Sequence, residues 1–343
     1  MAQVVGESRI EPTGPAQYAA FLAGAHPEPE RIDASTCTLA LPLPGDVGIV
    51  TSTLSYVLVG PDGVGHIVDP GWDSDDNMAR LRGALEEWGI DRVGTVVATH
   101  LHPDHLGMVE RVRRELGARS VLSRLEWDAV QASVFTRDAD RTLEEWGVPA
   151  ERRAEMRGDY EDPLAGWAGP DELVRDGDVL DLGRPVRVVL TPGHSQGGIT
   201  LVDETRRRIL TGDHVMPHRN PGLGLGYVGD ADPVADYYES AERLLEWDGF
   251  EVLPGHGYRF GRLGLRVRQH IGHHLRRSRQ VAEVHARTPS ATIWETAARL
   301  HWTAGFVSLR HYYLYSALAQ TAMHLAFVRD AERSERWLVD PTY

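Results

Sequence analysis

Four side chains able to bind a metal ion fall within six residues of this 343-residue chain: the run THLHPDHLGM places His100, His102, Asp104 and His105 directly behind the apolar stretch TVVAT. Side chains of an extended strand alternate between faces, so His100 and His102 project to the same side and two imidazoles can grip one ion. The turn set by Pro103 then swings Asp104 and His105 toward a second ion close by. Three more donors follow in order, each beside a glycine and behind an apolar run: His194 in TPGH, Asp213 in TGD and His256 in PGH. Glycine lets the backbone turn sharply and come close to a bound ion. Neutral imidazoles with carboxylates suit zinc, and iron or manganese can use the same donors. Two divalent ions sharing a water lower its pKa to give a bridging hydroxide at neutral pH, while one ion polarises the carbonyl or phosphoryl oxygen under attack. Asp104 and Asp213 are the carboxylates expected to orient that hydroxide and take its proton.

Composition excludes several other chemistries. Cys37 is the single cysteine, which rules out an internal disulfide and any cysteine-rich zinc module; between Thr36 and Thr38, at the start of an apolar run, it reads as a core residue. Lysine is absent, so all 36 basic residues are arginine and neither a lysine Schiff base nor a lysine base is available. The formal net charge of −14 disfavours nucleic acid as a partner, because such binding rests on basic groups neutralising phosphates. Apolar runs fall well short of the roughly 20 residues a membrane helix needs, so no membrane contact is expected. MAQVVGESRIEP carries charges where a secretory peptide has its apolar stretch, and a cytoplasmic location is the expectation.

The elements that must position the donors alternate between β and α signals. Residues 1–36 read as an N-terminal arm with a short helix, PAQYAAFLAG, and a proline-rich lead-in. TLALPLP, TSTLSYVLVG and VGHIVDPG are strand-like runs separated by turn signals. DNMARLRGALEEWGI follows with Met78, Leu81, Leu85 and Trp88 at helical spacing. PVRVVL, the run before TGD and FEVLP then each end in a glycine and a donor. The main domain is thus expected over 37–260, with residues 125–175, rich in charge and tryptophan, as a helical lid insertion. From about Gly261 the β signals cease and three helices are expected, a helical C-terminal domain over 261–343.

Taken together, HLHPDH, TPGHSQGG, LTGDH and LPGHG resemble the metallo-β-lactamase superfamily over about residues 45–260, and its binuclear, glyoxalase II-like branch in particular. The resemblance implies an αββα sandwich, two sheets face to face with helices outside and metals at one edge. It also implies a division of labour: His100, His102 and His194 hold one ion, Asp104, His105 and His256 the other, and Asp213 bridges. Asp69, in IVDPG, matches a family aspartate that supports the ligands. The tail, with RQHIGHHLRRSRQV, TIWETAARL and AMHLAFV, and the stretch TGDHVMPHRNPGLG resemble the β-lactamase-like protein 2 subgroup and its winged-helix-like extension.

Departures from the family narrow the activity. Met216 stands where acyl-homoserine lactonases place a tyrosine, the lysines of true glyoxalase II toward glutathione are missing, and an export signal of the β-lactamase kind is not expected. A small-molecule thioester or other acyl ester is the leading expectation, with Trp127, Trp146 and Trp167 lining an apolar acyl site. A phosphodiesterase, nuclease or lactonase is the alternative within enzymes. A metal-bearing nucleic-acid-binding or regulatory protein is the alternative outside them. His214 and His218 read as packing or supporting groups near Asp213, with substrate contact as the alternative, and the helix face with His270, His273, His274, Arg276 and Arg277 as solvated, with the grip of an anionic substrate as the alternative. A homodimer is left open.

Overall fold

The computed structural model describes residues 10–45, 50–132, 139–156, 167–227 and 231–340. Parts of the expected lid, 133–138 and 157–166, and the charged residues 1–9 therefore lie outside the described residues.

Strands rich in β-branched and aromatic residues assemble into two seven-stranded sheets. In the first, β2 (Glu30–Asp33), β3 (Thr36–Pro42), β4 (Ser52–Val59), β5 (Gly65–Val68), β6 (Val93–Val97), β7 (Arg119–Ser123) and β8 (Glu172–Val174) lie in chain order. The second runs β1 (Glu11–Pro12), β14 (Phe260–Gly261), β13 (Glu251–Pro254), β12 (Arg208–Gly212), β11 (Ile199–Asp203), β10 (Pro185–Leu190) and β9 (Val179–Asp181). The helices are α1 (Pro15–Ala23), α2 (Asp75–Glu87), α3 (Pro103–Leu106), α4 (Val109–Leu116), α5 (Arg124–Gln131), α6 (Ala139–Glu145), α7 (Ala150–Arg153) and α8 (Pro233–Arg243), followed by α9 (Leu263–Arg287), α10 (Ile293–Arg299), α11 (His311–Arg329) and α12 (Ala331–Val339).

Alternation within the strands builds the layers. Leu54, Tyr56 and Leu58 of β4 point between the sheets, where they meet Val97, Leu201, Leu210 and Leu253. Val57 of the same strand points outward, into a core shared with Met78, Leu81 and Leu85 of α2 and with Val109 and Val112 of α4. On the other outer face Val252 and Ile209 pack beneath Tyr237 and Tyr238 of α8, Val267 and Ile271 of α9 and Phe327 of α11. The result is the expected αββα sandwich. Cys37 is fully buried in the outer core of the first sheet.

Three sequence readings change. The residues taken as an arm supply strands to both sheets, since Glu11 pairs with Gly261 and Glu30 with Thr38. Arg259, almost entirely buried, anchors them through Glu30 and Glu251. Both ends of the 125–175 stretch belong to the sandwich: Ala129 of α5 sits in the first outer core and β8 completes the first sheet. The part between, with Leu143 and Val148, packs on Ala297, Leu314 and Leu318 of the tail. After Gly261 the described residues hold helices and no strand, so the helical extension is present without a wing.

Candidate metal centre

The donors gather where strands from both sheets end. His100 and His102 follow β6 across Ala98 and Thr99, and His102 is the N-cap of the one-turn α3, which carries Asp104 and His105. Pro103 at the first helical position presets that turn. His194 follows β10, Asp213 follows β12, and His256 follows β13, which pairs in parallel with β12. Two backbone bonds join the sheets at this edge, Ile199 N–H to Thr99 O at 2.9 Å and Leu54 N–H to Gly255 O at 2.7 Å.

The seven donors form one cluster in two lobes. His100, His102 and His194 bring a ligand atom each within 4.8 Å of one another, as do Asp104, His105 and His256. Within the first lobe His102 Nδ1 is 2.8 Å from His100 Nε2 and 3.1 Å from His194 Nε2. In the second, His256 Nε2 is 3.3 Å from both His105 Nε2 and Asp104 Oδ2. Asp213 stands between them: Oδ2 is 3.6 Å from His194 Nε2, while Oδ1 lies 3.4 Å from His105 Nε2 and 3.2 Å from His256 Nε2.

Fixed partners on the far side of the rings aim the donors inward. His194 Nδ1 donates to Gly222 O at 2.6 Å and His256 Nδ1 to Ser52 O at 2.8 Å. His105 Nδ1 meets Asp69 Oδ2 at 2.8 Å, and His100 Nδ1 meets Thr99 Oγ1 at 3.0 Å. Asp69 also accepts from the Thr99 N–H and hydroxyl, at 2.7 and 2.9 Å. The residue expected to support the ligands thus lies behind His105, in a left-handed backbone turn at φ 55°.

The electrostatics differ between the lobes. Burial, reinforced by the neighbouring imidazoles, lowers His100 and His102, the latter to about 3, and burial lowers His194 as well. These three rings stay neutral, the form that donates a lone pair. In the second lobe burial opposes charge, but the surrounding carboxylates outweigh it and raise His105, and push His256 up to about 9. Asp104 and Asp213 are held below the usual carboxylate range by those same imidazoles, against the effect of burial. The second lobe therefore favours positive charge.

Other singled-out residues fall elsewhere. His214 is buried against the Tyr237 ring, 4.7 Å between centroids, and His218 lies against Phe21 at the same separation. His270 and His274 are buried in α9, and the Arg277 guanidinium lies 4.1 Å from the Trp302 ring, so that helix face is largely internal rather than solvated. The three tryptophans separate: Trp127 and Trp167 meet edge to face at 5.3 Å beside the first outer core, whereas Trp146 packs near Tyr315 of α11. Trp146, which follows α6, thus packs with the tail and not in the cluster of Trp127 and Trp167. The tail itself reaches the metal edge. Arg266 of α9 donates to the carbonyls of Met216 and Arg219, and Gln320 of α11 to Leu223 O, bracing the loop whose Gly222 orients His194.

One residue of the site was missed by the sequence reading. Glu126, fully buried, accepts from the Leu101 N–H, the Ser195 hydroxyl and the Gly197 N–H. Its only local signal is a carboxylate three residues after Ser123, which caps α5.

The model of the metallo-beta-lactamase superfamily matches residues 48–256, more than half of the chain and all seven donors. The chain belongs to this superfamily. This metallo-beta-lactamase-family chain is 31% identical over 182 residues to the acyl-coenzyme A thioesterase MBLAC2 of Homo sapiens, a match covering 48% of the chain and 56% of that protein. It is 24% identical over 216 residues to an atrochrysone carboxyl ACP thioesterase of Aspergillus fumigatus, covering 61% of the chain and 53% of that protein. The chain spans about half the length of the curated relatives it matches. Among solved structures, a beta-lactamase domain protein from Burkholderia ambifaria superposes with a TM-score of 0.77 at 22% identity, covering 94% of this chain and 93% of the other. A metallo-beta-lactamase family protein from Thermus thermophilus gives 0.71 at 23%, covering 88% and 95%. These likenesses extend past the family match into the helical tail. No helix among the described residues is long and apolar enough to cross a membrane.

Proposed function

We propose that this chain is a binuclear metal-dependent hydrolase of an acyl thioester or related small-molecule acyl ester, with zinc as the leading ion and iron or manganese as alternatives. The observation that carries the reading is the convergence of seven donors, with a ring nitrogen of His100, His105, His194 and His256 tied to a fixed partner. The residues fit two ions. Asp213 Oδ1 is buried with the His105 and His256 ring nitrogens beside it, and in the first lobe His102 Nδ1 lies between His100 Nε2 and His194 Nε2. His100, His102 and His194 would hold one ion, Asp104, His105 and His256 the other, with Asp213 shared between them. Such ions supply an acidified water as nucleophile and a Lewis acid for the acyl oxygen.

The chain's own residues supply the rest. Asp104 and Asp213 stay ionised at neutral pH, so two carboxylates are available to orient the attacking water and hold its proton. Neither Cys37 nor Ser195 offers a competing nucleophile: burial pushes the Cys37 thiol up to about 11, and the Ser195 hydroxyl is engaged by Glu126. The thioesterase relatives favour an acyl thioester over the phosphodiester and lactone alternatives. The charge of −14 speaks against nucleic acid and for a small molecule. A cytoplasmic setting belongs to the same reading, as does a division into the sandwich and the helices after Gly261.

Metal analysis of the purified protein is expected to return close to two ions per chain; none would remove the central claim. A panel of acyl-CoA thioesters, lactones and bis(p-nitrophenyl) phosphate then tests the substrate. Turnover of the thioesters is the expected result, and turnover of the phosphodiester alone would overturn the acyl assignment.

A further inference from the structure

Glu126 is a buried carboxylate that the chemistry above does not use. It lies in the first turn of α5, outside the family's donor motifs. Its Oε2 accepts the Leu101 N–H at 2.9 Å, and its Oε1 accepts the Ser195 hydroxyl and the Gly197 N–H, both at 2.7 Å. Leu101 lies between His100 and His102, and Ser195 follows His194. One side chain therefore ties the first sheet's loop, with two imidazoles of the first lobe, to the second sheet's loop, with the third.

The approach is close and made by glycine. A Cβ at position 197 would meet the Glu126 nitrogen at 2.4 Å, so a side chain there would push the His194 loop off α5. Ser123, the α5 cap, adds a second tie by donating to Gly197 O. All three partners of Glu126 are donors, which suits a group with acceptors only. Burying such a group is costly, and burial pushes its carboxyl up to about 7 although the three hydrogen bonds pull it down.

We infer that Glu126 is the positioning residue that sets the spacing of His100 and His102 relative to His194, and through it the metal affinity of that lobe. The inference rests on reading the seven donors as a metal centre. Glutamine is nearly isosteric, but its NH2 must face either Leu101 N–H or the Ser195 and Gly197 donors, so one of the two loops loses its anchor.

The test titrates metal-free wild type and E126Q with Zn2+ against a competing chromophoric chelator, with circular dichroism as the check on folding. Wild type is expected to take two ions. Folded E126Q should take one with wild-type affinity and the other about 10- to 100-fold more weakly, the size seen when a partner behind a ligand is removed. A folded E126Q that binds both ions as tightly as wild type overturns the inference and leaves the metal centre standing. A wild type that binds no ion removes the centre, and the inference with it. Should E126Q fail to fold, S195A deletes only one of the three donors. It is expected to weaken the same ion by about 3- to 10-fold, and wild-type affinity in S195A overturns the inference equally.

Discussion

Asp69 Oδ2 lies 2.8 Å from His105 Nδ1, and its other oxygen takes the Thr99 N–H at 2.7 Å. A single carboxylate thus orients a donor of the second lobe while pinning the residue just before His100. Its backbone sits at φ 55°, a region that aspartate and asparagine enter more readily than other side chains.

Replacing Asp69 with asparagine keeps that backbone but removes the negative charge behind His105. On the proposed binuclear reading, the ion assigned to Asp104, His105 and His256 is expected to bind about 10- to 100-fold more weakly, with circular dichroism unchanged. Chelator competition on the purified variant measures it, and equal retention of both ions would show that Asp69 merely shapes the turn.

Gly255 brings the backbone close to the centre. A Cβ there would meet Asp213 Oδ1 and His105 Cε1 at 2.7 Å each, while the Gly255 N–H and carbonyl are held by Gly212 and Leu54. With the backbone fixed on both sides, Gly255→Ala must move Asp213. Turnover is expected to fall by about 100-fold or more, as misplaced catalytic groups commonly cause. Steady-state kinetics with metal content on the same sample would show it.

Glu126 also predicts a pH dependence of stability. Burial raises its carboxyl from 4.5 to about 7 in the folded chain, so between those values the folded state holds more protons than the unfolded one. Stability from this group is therefore greatest below about pH 4.5, falls as pH rises through 7 and then levels off, by about 3 kcal/mol in total. The difference between metal-free wild type and E126Q in urea unfolding, taken from pH 5 to pH 8, isolates that slope. A pH-independent difference would contradict it.

Leu314 of α11 is fully buried where the inserted helices meet the tail. Leu314→Ala leaves a cavity there and is expected to cost about 3 kcal/mol in urea unfolding. The ion content of the folded variant should stay at the wild-type level, since the cluster meets α6 and the residues after it rather than the donors.

Much of this arrangement was legible in the sequence because it is local. The β-rich run TSTLSYVLVG announces a strand, and the spacing of His100, His102, Asp104 and His105 keeps them together because all four lie in one short loop and turn behind β6. The two-layer β sandwich follows from the same patterns once the family likeness is added. The outer faces of α9 were misread for the opposite reason: whether His270 and His274 meet water depends on what covers the helix, and Tyr237 and the α11 ring of His324 do so.

By itself the sequence singled out the seven ligand-capable side chains, their order and the apolar runs that precede them, since each is set by a few neighbouring residues. Only the tertiary structure decided which distant groups meet. It paired Glu11 with Gly261, separated Trp146 from Trp127 and Trp167, set Asp69 behind His105, and brought Glu126 between the loops of His100 and His194. Those meetings join residues far apart in the chain, and their energy comes from burial and hydrogen bonding that exist only after the two sheets have closed on each other.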